Sequence, residues 1–110
     1  MKDFLERHGL ICVKTDDDFD GLQFIWSFPG LKDWVMKTYE GKRSVLLCKS
    51  FNIFKNVSNE YEIRTSDLED FYCSTPLDYM ELGEKIKKLT IEYKNTKIKL
   101  MEKEIKHDFH

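Results

Sequence analysis

The stretch Gly21 to Phe28, GLQFIWSF, narrows the possible folds more than any other part of the chain. Leu22, Phe24, Trp26 and Phe28 alternate with Gln23, Ile25 and Ser27, the period of a strand with one strongly apolar face. Burying such side chains stabilises a fold by roughly 1.5–3 kcal/mol each, so other elements are expected to pack over that face. An aspartate-rich turn ending in Gly21 precedes the strand, and Pro29-Gly30 follows it.

The flanking segments are read around that strand. Asp3-Phe4-Leu5-Glu6 fits a capping pattern for a short helix closed by Gly9. Leu10 to Lys14 reads as a strand that pairs with the first through a hairpin turn at Asp16 to Gly21. After Pro29-Gly30, Leu31, Trp34, Val35 and Thr38 or Tyr39 recur at helical spacing, predicting a helix over 31–40 whose Trp34 face covers the aromatic strand. Arg43 to Cys48 reads as a strand continuing through a bulge into Phe51–Phe54. Asn56 to Asn59 is turn chemistry, and Glu60 to Arg64 alternates again. A four-residue turn sets Lys55 opposite Glu60 and Phe54 opposite Tyr61. Ser66-Asp67-Leu68-Glu69 is a capping box, predicting a short helix to about Tyr72. Thr75-Pro76-Leu77-Asp78 starts a further helix with the inner stripe Tyr79, Leu82, Ile86 and Leu89, in which Gly83 costs about 1 kcal/mol relative to alanine.

The end of that helix has two readings. Leu89 to Tyr93 and Lys97 to Leu100 alternate as strands. A turn at Asn95-Thr96 pairs Tyr93 with Ile98, Ile91 with Leu100 and Glu92 with Lys99, which favours a hairpin across 89–105. A helix continued from 76 to 106 carries a second apolar face of Ile91, Ile98 and Ile105 and predicts a homodimer. The fold expected is α+β in a single domain over 1–110. It has an antiparallel or mixed sheet of about five or six short strands, with two or three helices packed on one side.

Charge is unevenly placed. Residues 1–83 hold ten Lys/Arg against fifteen Asp/Glu, while the basic C-terminal segment 84–110 holds eight against five. The chain lacks alanine and is rich in Lys, Ile, Phe, Tyr and Asn, residues with A/T-rich codons, which points to an A/T-rich genome such as a low-GC bacterium, a phage or a large DNA virus. MKDFLERHGL has no apolar core of a signal peptide and no run of 18 apolar residues occurs, so a cytoplasmic protein without a membrane partner is expected. Cys12, Cys48 and Cys73 are then expected as reduced, buried thiols.

No motif specifies catalysis. Asp16, Asp18, Asp20 and Gly21 match the first half of a calcium loop, but Ser27 stands where its bidentate glutamate belongs, so they are only a weak metal candidate. His8, His107 and His110 lack zinc-site spacing and read as surface residues; Cys12 reads as an inert strand thiol. No glycine-rich phosphate loop occurs and no cofactor is expected. Asp16, Asp17, Asp18, Asp20, Glu60, Glu62, Asp67, Glu69 and Asp70 are candidates for an acidic interaction surface. Lys85, Lys88, Lys94, Lys97 and Lys99, with Tyr93 as a stacking platform, are the nucleic-acid alternative. The function expected is non-catalytic binding of another macromolecule, a protein before a nucleic acid, as in an inhibitory or accessory protein of a phage or mobile element.

Overall fold

A computed structural model describes residues 1–19 and 21–108. Five strands form one antiparallel sheet whose spatial order is the chain order. They are β1 (Ile11–Asp18), β2 (Gly21–Ser27), β3 (Met36–Tyr39), β4 (Ser44–Lys55) and β5 (Tyr61–Tyr72). Helices α1 (Lys2–Arg7) and α2 (Pro76–Asp108) lie on one side, the α+β arrangement expected. None of the described helices is long and apolar enough to cross a membrane.

The apolar strand is β2, and its inner face lies at the centre. Trp26 and Phe28 are 1% and 4% exposed; Leu22 and Phe24 are half-buried nearer the strand's start. The Trp26 indole N–H donates to Thr38 Oγ1 at 3.0 Å, satisfying the one polar atom that its burial would otherwise strand. Phe28 stacks on Tyr93 at 5.4 Å between centroids, and Phe51 closes the aromatic triangle.

The lid over this face is α2, through Leu82, Ile86, Leu89 and Tyr93, with Tyr79 and Leu100 at the margins. Its start follows the cap read from the sequence. Asp78 N–H donates to Thr75 Oγ1 at 3.2 Å, and Asp78 Oδ2 accepts from the Ser74 and Thr75 N–H groups, each at 3.0 Å. Gly83 has a packing reason: a Cβ there would stand 3.1 Å from His8 Nε2 and 3.5 Å from Phe4 Cζ, so its absence lets α1 lie close. In α1 itself Met1, not Asp3, is the N-cap residue, and Gly9 follows at φ 87°.

Three expected elements take another form. No helix spans 31–40: Leu31 to Val35 is irregular and then β3 begins. Val35 N–H donates to Trp26 O, and Cys48 N–H donates to Val35 O, both at 2.8 Å. A helix here would deprive β2 and β4 of the backbone partners between them, and that pairing outweighs a short helical period. Trp34 therefore does not cover the apolar face; the Lys37 ammonium sits 4.4 Å from its ring centroid. Residues 66–72 are likewise strand, the second half of β5. Asp67 adopts φ 54° within it, between the paired residues Cys48–Leu68 and Ser50–Ser66. The capping box misled because Ser66 spends its hydroxyl on Ser50, 2.7 Å away across the ladder.

The hairpin across 89–105 does not form, since α2 runs unbroken for 33 residues, about 50 Å. Tyr93 is needed inside while Ile98 is left outside, so the expected Tyr93–Ile98 pair is divided between opposite sides of one helix. The β4–β5 register is also one residue off the expectation, with Lys55 opposite Tyr61 and Phe54 opposite Glu62. Asn56 causes this by accepting from the Ser58 and Glu60 N–H groups and donating its own N–H to Glu60 O, which lengthens the loop. Along β4 the pairing shows no register shift.

Candidate functional site

A cleft of about 480 Å³ opens between α2 and the β4–β5 pair and is lined by Leu47, Cys48, Lys49, Glu69, Lys85 and Lys88 among others. Its nucleophile is disabled. Burial first, then the negative charges of Asp33 and Glu92, push the Cys48 thiol up to about 12, so it stays protonated near neutrality. Glu69 is held by Lys85 at 3.1 Å across the cleft. Cys73 is buried too, and burial raises its thiol. Cys12, expected inside, is exposed on the edge strand β1. His8 is no surface residue: half-buried, it stands 4.4 Å from the Phe4 ring, with Nδ1 2.8 Å from Phe4 O. The His107 side chain and His110 lie outside the described residues.

The candidate acids are divided between the two edges of the sheet. Asp16 and Asp17 lie on β1, where Asp16 pairs with Lys14 at 3.3 Å. The Asp18 side chain and Asp20 lie outside the described residues, so the calcium-loop candidate is not assembled from what is described; among the described residues no group of three His, Cys, Asp or Glu could hold a metal. Glu62, Asp67, Glu69 and Asp70 belong to β5 on the far edge, with Glu60 just before it. Glu62 is engaged by Arg64 at 2.7 Å, a hydrogen bond that holds its carboxyl below the ordinary range. These residues do not form one negative face.

The candidate lysines wrap around α2 instead of lining one groove. At 100° per residue, Lys88 and Lys99 share one flank, and Lys94 and Lys97 the other. Lys85 is committed to Glu69 and the Phe71 ring. Tyr93 is no stacking platform: it is 7% exposed, pressed against Phe28 and Phe51, with Lys97 over its ring at 5.0 Å.

One surface was not singled out from the residues, the sheet face turned away from the helices. The register aligns Ile25, Lys37, Leu46 and Asp70 in one row, with Ser44 opposite Tyr72 in the row beside it. Leu68 and Tyr72, four residues apart on β5, are 50% and 61% exposed. Reading 61–72 as one alternating strand would have found them. The outer stripe of α2 is the second apolar face, Ile91, Ile98 and Ile105, that the long-helix reading gave. No family model, curated protein or solved structure matches this chain.

Proposed function

We propose that this is a non-catalytic binding module that engages another protein in the cytoplasm through the helix-free face of its sheet. The observation that carries the reading is the exposure of Leu68 and Tyr72 on β5, next to the row of Lys37, Leu46 and Asp70. An aromatic and aliphatic patch with charges of both signs suits a protein surface, in which tyrosine supplies anchors and isolated charges fix orientation. A nucleic-acid ligand fits less well, because the lysines encircle α2 and the nearest large ring among them is buried. The cleft supports no catalytic alternative, its thiol being held protonated and its carboxylate paired. The A/T-codon bias of the composition supports an accessory or inhibitory role in a phage or mobile element.

The test is tagged capture from a lysate of the source cells, with and without nuclease, comparing wild type with Leu68→Glu and Tyr72→Glu. A partner that survives nuclease and is lost with either variant, at unchanged circular dichroism, is the expected result. Retention by both variants, or loss of the partner on nuclease treatment, overturns it.

A further inference from the structure

The outward side of α2 repeats every seven residues. Ile91, Ile98 and Ile105 occupy one heptad position, with Lys94 and Met101 three residues on. Ile91, Ile98, Met101 and Ile105 are 55–59% exposed, although the same turns bury Leu89 and Tyr93 on the inner side. A helix that only roofs a sheet needs one apolar stripe; this one has two. Strict seven-residue spacing keeps side chains in one seam when a helix winds about another helix. Lys97 and Glu104 flank the seam on one side, and Asn95 and Glu102 on the other.

We propose that this seam is the interface of a homodimer, with α2 of one copy packed antiparallel on α2 of a second. Identical seams are self-complementary about a two-fold axis, so a second copy is an occupant whose match is written in the chain itself. Charge selects the direction. A parallel pair brings Lys94 against its own counterpart inside the seam, a like-charge contact. In the antiparallel pair Ile98 packs on Met101 of the other copy and Lys94 lies beside its Ile105. The two Lys94 residues are then eleven residues out of register, about 16 Å apart. The same register sets Lys97 against Glu104 and Asn95 against Glu102. The four apolar side chains and the stems of their polar neighbours bury roughly 1,200 Å² in total, the lower bound of stable interfaces, which implies a reversible dimer.

Sedimentation equilibrium of the full chain from about 1 μM to 1 mM, a span that covers reversible dimers of this size, tests the proposal. Wild type should dimerise with concentration. Ile98→Glu and, separately, Met101→Lys should raise the dimer dissociation constant by at least about 100-fold while circular dichroism stays unchanged, because both side chains are solvent-facing in the monomer. Lys97→Glu should weaken association, and adding Glu104→Lys should restore it. With Cys12→Ser as background, Lys94→Cys should give no interchain disulfide. Leu68→Glu should leave self-association untouched, which keeps this proposal separable from the role given to the sheet face. A wild-type monomer at 1 mM, a dimer that persists in Ile98→Glu, or a seam that takes up only the helix of a different protein would overturn it.

Discussion

Replacing Thr38 by valine should cost more than its small change of shape suggests. The substitution is nearly isosteric and exchanges a hydroxyl for a methyl at a position 6% exposed. By transfer alone it would be neutral or slightly stabilising. The hydroxyl, however, is the acceptor for the Trp26 indole N–H, and Trp26 is 1% exposed, so water has no ready access to replace it. A buried donor left without a partner costs about 1–3 kcal/mol, and this term should win. For a domain of this size that corresponds to a fall of about 4–12 °C in Tm. Urea unfolding followed by far-UV circular dichroism and tryptophan emission measures it, at a low, fixed protein concentration so that association does not contribute. Trp26→Phe alone loses volume as well as the donor. In Trp26→Phe with Thr38→Val no orphaned donor remains, so the double variant should be more stable than the two single losses sum to. If Thr38→Val unfolds at the wild-type urea concentration or above it, the bond contributes nothing and the reasoning fails.

Four further outcomes follow from the same geometry. Asp33→Ala should lose about 2–3 kcal/mol, because Oδ2 accepts from both the N–H and the hydroxyl of Thr65 while Oδ1 accepts from Trp34 N–H; denaturant titration reads the loss. Gly83→Val should displace α1 and destabilise the chain by about 1–3 kcal/mol despite replacing a poor helix former, seen as faster proteolysis within residues 1–9. Thiol titration at mildly alkaline pH should show one fast group, Cys12, with Cys48 and Cys73 reacting only on unfolding. Hydrogen bonds from the Ser74 and Thr75 backbone hold the Asp78 carboxyl below its ordinary 3.8. Its stabilisation is therefore complete above that value and disappears as pH falls through the lower folded one, so wild type should lose stability more steeply in acid than Asp78→Asn.

Local chemistry was legible wherever it coincided with the tertiary demand. The alternation of Leu22 to Phe28 and the Thr75–Asp78 cap describe what those residues do in the fold. The helical period of 31–40 failed because the pairing partners of Val35 and Met36 are Trp26 and Leu47, remote in sequence and invisible to a local window. The choice over 89–105 failed for a related reason. The hairpin rested on three cross-strand pairs from one register, while Tyr93 and Leu100 continue the inner stripe of α2 and leave Ile91 and Ile98 on its outer side. Of the candidate surfaces, the acids were visible by type but not by place, because β1 and β5 are separated by the full width of the sheet.

Strand neighbours in space are strand neighbours in sequence throughout the meander, which keeps most of the contacts short in sequence separation and favours rapid assembly. The helix that roofs the meander is synthesised after all five strands. A ribosome therefore exposes a finished ribbon of five strands, with Trp26, Leu47 and Ile63 still bare on one side, before residues 76–108 arrive to shelter it. A message truncated within α2 would yield a chain with that apolar face left uncovered.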